Sequence, residues 1–185
     1  MTETFLERKI ARCFDLLDRN SDGDLSRDDC VALARAAADA SGFAAESEDA
    51  WRVRDGYVRL WEVLLAPMDA DGDGRVSRSE YVAAVAGLSD DPDGYADSLG
   101  VAVDAFVEAG DADRDGRLSQ PEFLTLYRAT FPSLGQEEIL EAFGHLDRDG
   151  DGHITRQELS DSIREYLLSD DVNAPGNWFL GRVGG

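Results

Sequence analysis

Apolar residues recur at helical spacing along the chain, in segments separated by short acidic stretches. The first segment carries Leu6, Ile10, Phe14 and Leu17 at intervals of three or four residues, which predicts an amphipathic helix. The same periodicity recurs before and after each acidic stretch. The pattern therefore predicts an all-α protein whose helices come in pairs around acidic loops.

A longer helix is predicted from about residue 47 to residue 66. Its inward face would carry Trp51, Val58, Trp61 and Leu65. Pro67 follows directly, and proline removes a donor and clashes with an earlier carbonyl. We expect a local kink that leaves the next acidic loop intact; the alternative is that Pro67 disables any site in that loop.

The acidic stretches are four copies of one twelve-residue pattern, which begin 51, 42 and 36 residues apart. In chain order, loops one to four read DRNSDGDLSRDD from Asp18, DADGDGRVSRSE from Asp69, DADRDGRLSQPE from Asp111 and DRDGDGHITRQE from Asp147. Each copy lies between two predicted helices. The chain is therefore predicted to repeat a helix–loop–helix unit four times.

Each loop places oxygen-bearing side chains at positions 1, 3 and 5, glycine at position 6 and an acid at position 12. A hard divalent cation takes six to eight oxygen ligands, and one short segment can supply them only by curling around the ion. The glycine allows the sharp bend, and position 7 contributes its backbone carbonyl, so its side chain is free to vary.

The spacing thus predicts four metal sites. Their candidate ligands are Asp18, Asn20, Asp22, Asp24 and Asp29 in loop one; Asp69, Asp71, Asp73, Arg75 and Glu80 in loop two; Asp111, Asp113, Asp115, Arg117 and Glu122 in loop three; and Asp147, Asp149, Asp151, His153 and Glu158 in loop four.

Position 9 of each loop is serine or threonine, and an acid follows three residues later. This is the spacing of a capping box, which starts the outgoing helix. We expect both roles together, so that the position-12 acid begins the helix and also faces the ion.

These loops resemble the calcium-binding loop of the EF-hand superfamily over about residues 3 to 168. The two-halved layout, the uneven spacing and the APGNW tail are similar to the sarcoplasmic calcium-binding protein group, which includes calerythrin. The resemblance implies a compact globule of two EF-hand pairs, in which loop one pairs with loop two and loop three with loop four. Leu25 with Val76, and Leu118 with Ile154, would form very short antiparallel contacts.

The same layout predicts an N-terminal pair over residues 1–88, a C-terminal pair over 95–168, and a tail over 169–185 packed on the globule. The segment GLSDDPDG at residues 87–94 is acidic and rich in turn-forming residues, so it is the candidate hinge between the two halves.

Loop one departs from the pattern at two positions. Asn20 is neutral, and Asp29 is one methylene shorter than the usual glutamate, which makes bidentate binding harder. Both changes weaken the site or favour six-coordinate Mg²⁺. We therefore expect three to four bound Ca²⁺ ions, with Mg²⁺ as an alternative in loop one.

The amino-acid composition limits which binding partners are expected. The net charge of −21 should repel nucleic acid and anionic membranes, and no apolar stretch is long enough to span a bilayer. The two histidines and two cysteines form no recognisable catalytic or zinc pattern, so we expect a protein that is not an enzyme. Two cysteines are too few for a disulfide scaffold, which favours the cytoplasm. We also expect a monomer. A protein partner remains open.

Dense calcium sites without catalytic groups favour a Ca²⁺ buffer or transporter. The alternative is a calcium sensor that exposes a groove to a partner, although sensors use Met-rich surfaces and this chain has only Met1 and Met68. A third reading is a small-ligand binder, because the group is also similar to photoproteins and coelenterazine-binding proteins.

Overall fold

The computed structural model describes residues 4–88 and 92–182, with side chains left out for residues 92–98. Within these residues the fold is all-α, as the periodicity predicts. The helices are α1 (Phe5–Leu17), α2 (Arg27–Ala40), α3 (Glu48–Leu60), α4 (Arg78–Gly87), α5 (Pro92–Gly110), α6 (Gln120–Thr130), α7 (Gln136–Leu146) and α8 (Arg156–Leu168).

Four two-residue strands connect the loops in pairs. They are β1 (Asp24–Leu25), β2 (Val76–Ser77), β3 (Leu118–Ser119) and β4 (His153–Ile154). Strands β1 and β2 are antiparallel with Leu25 opposite Val76, and β3 and β4 are antiparallel with Leu118 opposite Ile154. This confirms the predicted pairing of loops one with two and three with four.

Capping residues fix where the helices begin. The side chain of Thr4 accepts a hydrogen bond from the Glu7 amide, and the Glu7 carboxylate accepts one from the Thr4 amide. This reciprocal capping box starts α1 at Phe5.

The predicted long helix over 47–66 is interrupted. Helix α3 ends at Leu60, a π-helical turn covers Trp61–Leu65, and a 3₁₀ turn covers Ala66–Met68. Pro67 cannot donate to the helical ladder, so the chain changes its hydrogen-bond spacing before loop two. The inward assignment of Trp51 is wrong, because that side chain is 48% exposed.

The buried apolar residues form one continuous cluster that includes both halves of the chain. Helix α3 packs on α5, α2 packs on α6, and α1 packs on α8, so helices from each half contact helices from the other. None of the described helices combines the length and apolar character needed to cross a membrane. Of the predicted hinge at 87–94, residues 89–91 lie outside the described residues.

The tail folds back onto the helices. A 3₁₀ turn over Pro175–Trp178 lies against α7 and α8, and Phe179 and Leu180 behind it are buried. The ring of Phe179 lies 5.6 Å from that of Phe106 and 5.9 Å from that of Tyr166, both edge to face. Arg12 Nε of α1 donates to the Leu180 carbonyl at 2.9 Å, so the tail contacts both halves.

Lys9, the single lysine of the chain, fastens this tail. Its side chain is fully buried, and Nζ donates to the carbonyls of Glu165 and Ser169 and to Asn177 Oδ1, at 3.1, 2.7 and 2.8 Å. Burial lowers the pKa of Lys9 to about 8, against the opposing effect of nearby carboxylates. One ammonium group therefore joins α1, α8 and the tail.

Removing this ammonium group should loosen the contact between the halves. We expect Lys9→Met to reduce the free energy of unfolding by about 2–4 kcal/mol, because one buried and two partly buried acceptors lose their donor. The matched control is Arg35→Met, whose side chain is 84% exposed and should change stability by about 0.5 kcal/mol or less. Equal stability of the two variants, measured by chemical denaturation, would contradict the role given to Lys9.

Candidate metal centre

The first aspartate of each loop closes a ring with the glycine at position 6. Its Oδ2 accepts the glycine amide at 2.8–3.0 Å in all four loops. The four glycines are Gly23, Gly74, Gly116 and Gly152, and each has a positive φ between 86° and 93°. This backbone region favours glycine, which explains the residue at position 6.

The next two oxygen-bearing residues are held in the same manner. The side-chain oxygen at position 3 accepts the amide of position 5 at 2.8–3.1 Å, in Asn20 as in its three aspartate counterparts. The Oδ1 of position 5 accepts the amide of position 7, again at 2.8–3.1 Å. One oxygen of each position-5 carboxylate is therefore used to shape the loop, and Oδ2 points elsewhere.

The acid at position 12 ties the start of each loop to its end. In loop three, Glu122 Oε1 accepts the Ala112 amide at 2.9 Å, while Oε2 accepts the Ser119 amide and hydroxyl at 2.9 and 2.6 Å. Loops two and four repeat this arrangement with Glu80 and Glu158. Each acid thus caps the outgoing helix and lies over the loop, as its spacing predicts.

These hydrogen bonds favour the ionised carboxylate. Donation from Ser77 and from the Ala70 amide lowers the pKa of Glu80 to about 2. Burial works against ionisation of Glu122 and Glu158, but the donors around each outweigh it and lower the pKa of both. At neutral pH these groups are therefore anions ready to bind a cation.

In three loops the carboxylates converge closely enough to share one ion. An oxygen from each member of a trio lies within 4.8 Å of the others in Asp69, Asp71 and Asp73; in Asp111, Asp113 and Glu122; and in Asp147, Asp149 and Glu158. Hard carboxylate oxygens at this separation suit Ca²⁺, whose bonds to oxygen are about 2.3–2.6 Å long. The donor set therefore fits the ion that the sequence predicts.

Loop one keeps the backbone arrangement with a different donor set. Asp29 is only 3% exposed, and its Oδ1 accepts the Arg19 amide at 3.1 Å while Oδ2 accepts from Ser26. No trio of converging carboxylates forms here among the described residues, and position 3 carries the amide of Asn20. Its Nδ2 donates to Asp22 Oδ2 at 3.0 Å.

The four residues at position 7 lie at the strands that join the loops. Asp24 and His153 begin β1 and β4, and Arg75 and Arg117 directly precede β2 and β3. The side chains of Arg75, Arg117 and His153 lie close to aspartate carboxylates of the paired loops, and Asp24 is one of the two aspartates that Arg75 contacts.

Sequence reasoning missed one backbone constraint. Position 4 also has positive φ in every loop, with values of 57° at Ser21, 78° at Gly72, 63° at Arg114 and 73° at Gly150. Gly72 and Gly150 at this position of loops two and four indicate the positive φ in the sequence. Ser21 and Arg114 adopt the same conformation at a cost, since side chains with a Cβ disfavour it.

A reciprocal exchange tests the role of the position-12 side chain. We expect Asp29→Glu to raise the Ca²⁺ affinity of loop one, and Glu122→Asp to lower that of loop three, each on the order of tenfold. The longer side chain brings two oxygens to the ion and suits the larger Ca²⁺ better than Mg²⁺.

Calorimetric titration with Ca²⁺, with and without millimolar Mg²⁺, measures both changes. The NMR signals of the Gly23 and Gly116 backbone amides assign each affinity change to its loop, because each glycine donates to the first aspartate of its own loop. Affinities that shift in the same direction in both variants would contradict this account.

Comparison with known proteins agrees with the geometry. A family model of the EF-hand domain pair matches residues 7–86, and EF-hand models match residues 104–127 and 138–168. Among curated proteins, calcium-dependent protein kinase 31 of Arabidopsis thaliana is 26% identical over 116 residues, which is 63% of this chain and 23% of the kinase. The chain thus spans about a quarter of that relative's length.

Solved structures match almost the whole chain. A Streptomyces coelicolor calcium-binding protein is 29% identical, with a TM-score of 0.77, over 90% of this chain and 99% of that one. The Ca-loaded apo form of the coelenterazine-binding protein of Renilla muelleri is 23% identical, with a TM-score of 0.76, over 96% and 98%. The whole-chain matches agree with a sarcoplasmic calcium-binding protein-like layout, and the chain is a calcium-binding member of the EF-hand superfamily.

Proposed function

We propose that this protein is a Ca²⁺ buffer or transporter that binds its ions without opening a docking groove. The observation that carries the proposal is the tail, whose Phe179 and Leu180 are buried beside an apolar cavity that residues of both halves line. A sensor exposes a hydrophobic groove on binding Ca²⁺, and here the corresponding interior is already occupied by a segment of the same chain.

The surface supports the same role. Among the described residues, the large apolar side chains that are exposed are Trp51, Val63 and Val172. They come from α3, the π-helical turn that follows it, and the tail. Met68 is buried, so it supplies no adaptable apolar surface of the kind that promiscuous sensors use.

A specific comparison favours calcium sensing as the second candidate. The similar Streptomyces coelicolor protein is described as a calcium-binding protein of prokaryotic calcium-mediated regulation. If this chain acts as a sensor, the tail has to leave the interior when Ca²⁺ binds. The groove then exposed would be lined by Phe106, Phe131 and other residues that now contact Phe179 or lie beside it.

The small-ligand reading has less support. The apolar cavity lined by Cys13, Leu60, Phe106 and Phe179 has a volume of about 60 Å³. Sites for drug-sized ligands usually enclose about 300–1,000 Å³. A chromophore in this cavity would therefore require the core to expand.

The proposal extends to a cytoplasmic, monomeric protein without catalytic activity of its own. Two free, buried cysteines suit a reducing compartment, and burial raises the pKa of Cys13 to about 11 and of Cys30 to about 12, which makes both thiols poor nucleophiles. Kinase activity is not carried over from a relative that matches along only 23% of its length.

A hydrophobic dye distinguishes buffer from sensor. We expect the fluorescence of anilinonaphthalene sulfonate to stay nearly unchanged when Ca²⁺ is added to the Mg²⁺-loaded protein, because the tail keeps the apolar interior covered. Phe179→Asp, which should expel the tail, provides the positive control for an open interior, and its dye signal should be high throughout.

A large rise in dye fluorescence with Ca²⁺ in the unsubstituted protein would contradict the buffer and support the sensor. In Glu122→Gln/Glu158→Gln, loops three and four lose their position-12 carboxylates. Any rise that persists in this variant would come from loops one and two.

A further inference from the structure

One arginine in each half reaches from its own loop to the paired loop. Arg75 of loop two contacts Asp22 Oδ2 and Asp24 Oδ2 of loop one, with Nη1 at 3.2 and 3.6 Å. Arg117 of loop three contacts Asp151 Oδ2 of loop four at 3.3 Å and Asp115 Oδ2 of its own loop at 3.2 Å. The strand contacts hold the paired loops side by side and so permit these ion pairs.

The oxygen that each arginine contacts is significant. Asp22, Asp115 and Asp151 all occupy position 5, where Oδ1 is already engaged with the backbone amide of position 7. The guanidinium group contacts Oδ2, the remaining oxygen of the carboxylate. It therefore pairs with a charge that the loop also needs for a bound cation.

We propose that Arg75 and Arg117 lower the calcium affinity of the loops they contact, and that Arg117 also couples loops three and four. Without an ion, each guanidinium offsets repulsion among the carboxylates and stabilises the loop. When an ion enters, the arginine is a like charge nearby and lowers the affinity of the site. The inference rests on calcium binding alone and is independent of whether the protein is a buffer or a sensor.

The contacts differ between the halves, which makes the proposal specific. Arg75 ion-pairs with loop one, and none of the described arginines forms an ion pair with Asp73, the position-5 residue of loop two. Arg117 bridges position 5 of both its own loop and loop four. Loss of Arg75 should therefore affect loop one most, whereas loss of Arg117 should affect loops three and four together.

The test uses Arg75→Gln and Arg117→Gln in the full-length protein. Arg35→Gln is the matched control, since it removes the same charge from a solvent-exposed pair with Asp39 on α2. Calcium affinity is measured by titration. The NMR signals of four backbone amides assign it to individual loops: Gly23, Gly74, Gly116 and Gly152. The thermal midpoint of the chelator-treated protein gives the stability without metal.

We expect each glutamine variant to bind Ca²⁺ about three- to tenfold more tightly at the contacted loops, while its metal-free midpoint falls relative to Arg35→Gln. These opposite changes distinguish an electrostatic role from a structural one. Loss of a residue needed only for folding would lower both the Ca²⁺ affinity and the metal-free thermal midpoint. The gain should shrink in 1 M KCl, where the Debye length is about 3 Å, and Arg75→Lys should remain close to the unsubstituted protein.

Equal affinities in Arg75→Gln and Arg35→Gln, or a gain spread evenly over loops one and two, would overturn the proposal for Arg75. A gain at only one of loops three and four would overturn the coupling assigned to Arg117. If the unsubstituted protein itself took up no Ca²⁺, calcium binding would fail instead, so the two failures are distinguishable.

Discussion

Mutual repulsion among the carboxylates of each loop is the constraint on which the rest of the structure depends. Three loops bring oxygens of three acids within 4.8 Å of one another, in a chain whose net charge is already −21. Backbone amides offset part of this repulsion by donating to oxygens of these acids. A bound divalent ion, which supplies two positive charges to each loop, would offset more of it, so metal binding and folding are expected to be coupled.

The position-12 acid links each metal loop to the helices that form the core. It caps the outgoing helix through position 9 and holds the amide at position 2 beside the incoming helix, so its carboxylate connects both helices of the unit. Those helices share one buried cluster with the other half, and Lys9 and Phe179 fasten the tail across it. Binding of an ion to a single loop therefore affects the stability of a core that both halves share.

Features that depend on local spacing were predictable from the sequence. The twelve-residue repeat, the capping boxes and the contacts of Leu25 with Val76 and Leu118 with Ile154 follow from residues close together in the chain or from the family resemblance. Features that depend on tertiary contacts were not. Nothing in the local pattern distinguishes exposed Trp51 from buried Trp61, and Arg75 reaches a loop 53 residues away. The π-helical turn before Pro67 likewise reflects how the chain accommodates a missing donor within a packed core.

The dependence of stability on free Ca²⁺ tests the central claim most directly. Above the dissociation constants, each bound ion should add about 1.4 kcal/mol to the free energy of unfolding for every tenfold rise in free Ca²⁺, so three to four ions should add about 4–6 kcal/mol. Denaturant unfolding in calcium buffers measures this slope. An unfolding free energy that does not change between chelator-treated and calcium-saturated protein would contradict the account.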